Sequence, residues 1–331
     1  MEASPSLDLS RWREAPQGVG YRRRVIAMAG LRQLLRTRFF RILLGLAWSG
    51  GALIAAGGFV FSQSIATGGW LETLAVKFGP RAEAVVAAIG GLVTLYPDIC
   101  VRGVFTLLFW AHSFFGLWLS LLALTTLVPS LITRDRASHA LVVYLSRPLT
   151  SVDYLLGKLG TIVGVLLLVW TGPLLFGWLL SMLFATDRDF VVYSFGPLLR
   201  ALAFNGIALV ALAAIALGVS ALGRSSRVTV MVWIGLWAVL GAFASGPRTP
   251  AWFARASFTH DLGQVRQEVF RLDAVLATAS AELPIFDQRF MGNLAAAGKK
   301  AEATDFTGAL AALGVFVVGS SFVFLRRLRP E

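Results

Sequence analysis

The run Val104–Pro129, VFTLLFWAHSFFGLWLSLLALTTLVP, decides the fold class. It carries no Asp, Glu, Lys or Arg over 26 residues. A hydrocarbon core about 30 Å thick needs about 20 helical residues, so this run is long enough to cross a bilayer. Five more stretches read the same way: Ile42–Ser62, Gly160–Phe184, Ala201–Leu222, Val228–Ser245 and Gly308–Leu325. Backbone N–H and C=O groups in lipid must be satisfied within each segment, so all six are expected to be α-helices. The expected class is an all-α integral membrane protein. It has six transmembrane helices, an N-terminal amphipathic interfacial helix, a short cytoplasmic helix and extracytoplasmic helical segments.

Composition agrees. The chain is 56% hydrophobic and only 15% charged, where a soluble domain carries about a quarter charged residues. Mean hydropathy is +0.72. The single cysteine, Cys100, excludes an internal disulfide and any thiolate metal cluster built from this chain alone. The first apolar run follows about 40 polar and basic residues, which is late for a cleaved leader.

The net charge of +12 is unevenly placed. With the N-terminus inside, the inner segments hold 18 of the 30 Lys and Arg but 6 of the 18 acidic residues. Those bases lie at Arg11–Arg41, Arg134–Lys158, Arg224 with Arg227, and Arg326–Arg329. The inner face then carries the whole excess and the outer face is neutral. Lys and Arg beside the spans set orientation, which places both termini in the cytoplasm. The excess reads as contact with anionic headgroups rather than nucleic acid.

The domains follow. Residues 1–20 are a disordered tail with Pro5, Pro16 and Gly18. Residues 21–41 form the interfacial helix, with Met28, Leu31, Leu35 and Phe39 on one face. Residues 42–325 are the six-helix domain, including outer segments 65–103 and 246–307, and 326–331 is a cytoplasmic tail. Ala82–Tyr96 is apolar but short, which suits a surface or re-entrant helix. Between spans five and six, Asp261 with Gln264 three residues on forms a helix start. Leu262, Val265, Val269, Leu272 and Leu276 then mark one face of a helix that Pro284 ends. A second short helix is expected over Ile285–Ala297. This outer region is too small for its own core and should pack on the spans or on a partner.

Catalytic constellations are missing. Gly157-Lys158 is followed by Leu159 and Gly298-Lys299 by Lys300, so neither is a phosphate-cradling P-loop. The three histidines, His112, His139 and His260, are too far apart in sequence to suggest a metal site. Few ionisable groups lie at membrane depth, against an intramembrane protease or ion-coupled carrier. His112 and Ser113 in span two, with Trp233 and Trp237 in span five, are candidate pathway residues. For His112 the competing reading, a hydrogen bond to a neighbouring helix, is preferred, as it is for Asn205. The pair Gly160 and Gly164 allows close helix approach.

The most informative loop follows span two. Arg134-Asp135-Arg136 precedes a short amphipathic helix through Leu141 and Leu145, which Pro148 breaks. Thr150 or Ser151 then caps the helix that carries Asp153 and Lys158 into span three. A short helix held between two long spans is a lever: a force on it moves both.

The run Ile132–Lys158 resembles the permeases of ABC-2 type transporters, bacterial exporters among them. The likeness lies in Asp135, the Ser146-Arg147-Pro148 step, Asp153 and the Leu155-Leu156-Gly157-Lys158 ending. It implies a non-catalytic transmembrane subunit of the bacterial inner membrane. Its partners would be two copies of a separate ABC ATPase that binds ATP and Mg, a second permease copy or paralogue, the bilayer and a periplasmic partner. The short loop helix would be a coupling helix. Arg134, Asp135, Arg136 and His139 would supply polar contacts, and Leu141 and Tyr144 apolar ones. The alternative class is a non-catalytic membrane scaffold whose outer segments bind cell-envelope proteins. Lipid, peptide, polysaccharide and drug-like cargo all stay open.

Overall fold

A computed structural model describes residues 18–65, 69–133, 135, 150–185, 188–223, 225–246, 249–282 and 305–327. The described residues form helices and no strand. In chain order these are α1 (Val19–Leu35), α2 (Arg38–Ile65), α3 (Trp70–Phe78), α4 (Pro80–Leu95), α5 (Pro97–Thr133) and α6 (Val152–Leu183). They continue as α7 (Arg188–Leu222), α8 (Ser226–Ala244), α9 (Ala251–Ala254), α10 (Phe258–Phe270), α11 (Leu272–Glu282) and α12 (Phe306–Arg327). Among them six are long and apolar enough to cross a membrane: α2, α5, α6, α7, α8 and α12. They overlap the six apolar runs of the sequence. Several begin earlier than hydropathy implies. α7 starts a dozen residues before Ala201, and its helix holds Pro197 in its interior. Helical hydrogen bonding continues past the apolar stretch, and the hydropathy pattern does not report that part.

The bundle has an axis and a rim. The apolar window of α7 is 61% buried inside the protein, against 22% for α8 and 17% for α12. α7 therefore contributes to the core through Phe204, Ala208, Leu212 and Ala216. α8 and α12 turn residues such as Met231, Phe243, Val315 and Phe322 outward. Lipid is as apolar as these side chains, so their exposure carries no penalty in a bilayer.

The two N-terminal helices run parallel to α6. Arg23, Ile26, Ala27 and Gly30 of α1 meet Asp153, Gly157, Gly160 and Thr161 in the same order. α2 continues along the second half of α6, with Trp48 at Leu168, Gly51 at Pro173 and Gly58 at Ser181. The crossing is backbone on backbone: a Cβ at Gly177 would strike the carbonyl oxygen of Gly51. Packing of this closeness is the main source of helix affinity where no hydrophobic drive acts.

α4 covers the apolar segment Ala82–Tyr96 and is not among the six spans. The outer helix differs from its expected form. Its N-cap is Ser257, whose hydroxyl accepts from the His260 N–H, and not Asp261. It also breaks at Arg271, which takes the left-handed conformation at φ 44°, so the expected single helix becomes α10 and α11. A left-handed residue is a common helix terminator, here without the usual glycine. α10 is wedged among spans: Phe258 stacks near Trp233 and Phe316, and Phe270 near Phe204. The expected tail 1–20 falls largely on residues 1–17, outside the described residues. So do the helix expected at Ile285–Ala297, the break at Pro148 and the end of the C-terminal tail.

Candidate functional site: a joint at the start of α6 and a cavity beside α10

The joint gathers three helices. Thr150 caps α6 with a reciprocal box: its hydroxyl accepts from the Asp153 N–H, and the Asp153 carboxylate accepts from Thr150 N–H at 3.3 Å. The same carboxylate takes Nε and Nη2 of Arg23 at 2.8 and 2.6 Å, tying α1 to α6. One residue on, the buried Tyr154 hydroxyl lies 2.7 Å from Asp135 Oδ2 and 3.1 Å from the Leu131 carbonyl. Lys158 Nζ sits 2.7 Å from the same Asp135 oxygen and 5.3 Å from the Tyr154 ring centre. The last residues of α5 are thus fastened to the first turns of α6 on either side of the 136–149 loop. A cavity of about 260 Å³ lies between α1, α5 and α6, bordered by Ile26, Gln33, Leu127, Asp135 and Lys158.

Of the six coupling residues expected from the sequence, only Asp135 is described. Its carboxylate faces Tyr154 and Lys158 inside the joint. Arg134, Arg136, His139, Leu141 and Tyr144 lie outside the described residues.

Three spans carry a π-helical turn: Pro129–Thr133 in α5, Leu167–Thr171 in α6 and Gly235–Val239 in α8. Such turns slip the hydrogen-bond register and expose groups to side chains of neighbouring helices. Pro129 has no N–H to donate, which explains the first. There, Ser220 Oγ accepts from Ile132 N–H at 3.0 Å, and Thr133 Oγ donates to the Ser220 carbonyl at 2.9 Å. Around the second turn, Trp48 Nε1 donates to Leu168 O at 3.2 Å and His112 Nε2 meets Trp170 O at 3.1 Å. A carbonyl only accepts, so His112 carries its proton on Nε2. Asn205 Nδ2 reaches Thr171 Oγ1 at 3.5 Å. The Trp170 indole lies against Gly116, where any Cβ would collide with the ring.

These contacts place the four candidate pathway residues. His112 is held to α6. Ser113 donates to Trp110 O within its own helix at 2.6 Å. Trp233 is fully buried and donates to Leu121 O at 3.2 Å. Trp237 borders a cavity of about 480 Å³ between α5, α8 and α10. That cavity also holds Arg266, whose guanidinium carbon lies 5.3 Å from the Trp110 ring centre and 5.1 Å from that of Phe114. Burial lowers the Arg266 pKa, yet a guanidinium stays charged. Sequence reading missed Arg266. The signal was present: it stands four residues after Leu262, on the flank of the apolar face of α10.

Outside the spans, Arg255 bridges Asp261 at 3.2 Å and Asp305 at 2.6 Å, joining α10 to the start of α12. Burial pushes the Asp261 carboxyl up to about 6, although Arg255 opposes the shift. Asp305 moves the other way, held down chiefly by the Gly308 N–H at 2.9 Å.

Residues 111–246 match the ABC-2 family transporter protein family. The match runs from the middle of α5 to the end of α8 and includes the Ile132–Lys158 run that carried the resemblance. It supports an ABC-2 type permease, a multi-pass membrane protein of a transport system. No curated protein matches the chain.

Proposed function

We propose that this permease is the membrane half of an exporter driven by a separate ABC ATPase seated on the 136–149 loop. The observation that carries the reading is the joint. Both ends of the loop are anchored by ion pairs and hydrogen bonds, so a displacement of the loop is delivered to α1, α5 and α6 together. A rigid joint of this kind turns closure of an ATPase into a helix movement, the differential contact that a two-state transporter requires. The π-turn of α6 is where its two halves can rotate, because the helical hydrogen bonds change register there and side chains of α2, α5 and α7 contact it. Both termini and the joint face the cytoplasm, on the side of the basic excess. Two permease copies, or one with a paralogue, enclose the path, with the exposed apolar residues of α5 and α8 turned toward each other. ATP and Mg belong to the partner.

The test is co-purification. The wild-type chain retains the ATPase, and replacing residues 136–145 by a Gly-Ser linker releases it while membrane insertion is unchanged. Retention of the ATPase by the linker variant would overturn the assignment. Retention of envelope proteins without any ATPase would favour a scaffold.

A further inference from the structure

The cavity between α5, α8 and α10 holds the Arg266 guanidinium, which meets no carboxylate among the described residues. Arg266 presents five N–H donors in a planar fork. Its Nε is buried and has no hydrogen-bond partner among the described residues. Its guanidinium rests over the faces of Trp110 and Phe114, which attract the charge but do not satisfy the donors. No Asp or Glu stands among the described residues that line the cavity. A second donor, the Trp237 indole N–H, is also buried there without an acceptor. The same segment treats another half-buried arginine differently: Arg255 receives two carboxylates. The rest of the lining has two sides, an apolar one with Phe114, Leu117, Trp118, Leu121 and Ala242 and a polar one with Ser245, Thr259, His260, Gln264 and Gln267. Phe114 and Trp118 are 43% and 41% exposed, so the apolar wall is open at its side. At about 480 Å³ the space is in the range that small-molecule sites occupy.

We propose that this cavity binds an amphiphile with a single anionic headgroup, a phosphate for preference, with the acid on Arg266 and the apolar body against Phe114, Leu117 and Trp118. The fork of Arg266 matches the oxygens of a phosphate, and the Trp237 N–H supplies a third donor. A zwitterionic headgroup brings a cation beside Arg266 and is disfavoured. A neutral headgroup leaves the charge unmatched. As a statement of cargo class the inference rests on the permease reading above, but its test needs no ATPase.

The test titrates the full-length chain, in neutral maltoside micelles, with the water-soluble lipid dihexanoyl phosphatidic acid and follows binding by calorimetry. Saturable binding is expected, at least 10-fold tighter than for dihexanoyl phosphatidylcholine, dihexanoylglycerol or inorganic phosphate. Arg266→Gln lowers the affinity for the acid by 10-fold or more and leaves the neutral analogue unchanged. Arg266→Lys falls between, and Trp237→Phe, which keeps the ring, costs about 3-fold. Equal affinity for the acidic and neutral lipids overturns the proposal, and so does binding that Arg266→Gln and Trp237→Phe leave intact. Inorganic phosphate binding as tightly as the lipid acid shows an anion site without an amphiphile and overturns it too. Failure here leaves ATPase co-purification untouched, and loss of co-purification leaves this binding untouched.

Discussion

Charge enters this apolar bundle in two places that are built oppositely. At the start of α6 every acidic group is matched: Asp153 by Arg23 and Thr150, Asp135 by Lys158 and Tyr154. Beside α10 the Arg266 guanidinium meets aromatic faces and no described carboxylate. Satisfied charges fix the relative position of three helices, which suits a part that transmits force. A charge held only by aromatic faces keeps donors open and is suited to a part that receives something. The difference lies in the partners and not in the burial, because both sites lie between helices.

The contrast can be broken by substitution. The largest effect is expected at the outer bridge, which follows the rule of the joint. Arg255→Met leaves the Asp261 carboxylate, 0% exposed, without its cation. At pH 7 this should cost about 3 kcal/mol in an unfolding measurement in micelles. The native Asp261 is itself pH-sensitive. Its folded pKa of about 6 lies above the ordinary 3.8, so the folded chain holds the proton more tightly than the unfolded one. Stability from this group is therefore full below about pH 4 and is lost as pH rises through about 6, by roughly 3 kcal/mol. Asp261→Asn should flatten that slope while Asp305 and Arg255 keep their charges, and an unaltered slope would refute the assignment.

A smaller effect is expected at the joint. Lys158→Met strands a mostly buried Asp135 and should cost about 2 kcal/mol. In a double-mutant cycle with Asp135→Asn the two losses should fall short of additivity by at least 1 kcal/mol; strict additivity would dissolve the joint. Arg23→Ala should cost about 1 kcal/mol, because Arg23 is 41% exposed and water screens the pair. Least of all, Arg266→Gln should cost about 1 kcal/mol at most, since two contacts with aromatic faces are lost but no ion pair. A loss comparable to that of Lys158→Met would mean that Arg266 has a structural partner after all.

Much of the fold was legible because lipid imposes it. Six runs of apolar residues translate into six spans, and Thr150 followed by Asp153 writes its own cap. What was hidden depends on distance in sequence. Nothing local marks Arg23 for Asp153, or His112 for the carbonyl of Trp170, separated by 130 and 58 positions. The π-turns were equally silent, apart from Pro129, because they follow from which side chains neighbouring helices offer. Asp261 looked like a cap because its residue type and spacing fit, and Ser257 had the better position. The burial of α10 among spans was unreadable for a different reason. A helix with one apolar face reads alike whether it rests on a surface or is inserted between neighbours.

The pairing of Arg23 with Asp153 also sets a schedule for biosynthesis. The two ends of this contact are 130 residues apart, and a ribosome adds about 5 to 20 residues each second. The first helix therefore emerges on the order of ten seconds before its docking groove exists. Its arginines have to be parked meanwhile, and the headgroups of the nearest leaflet are the available counter-ions. The finished contact is then an exchange of lipid phosphate for a protein carboxylate, made only once the third span has been inserted.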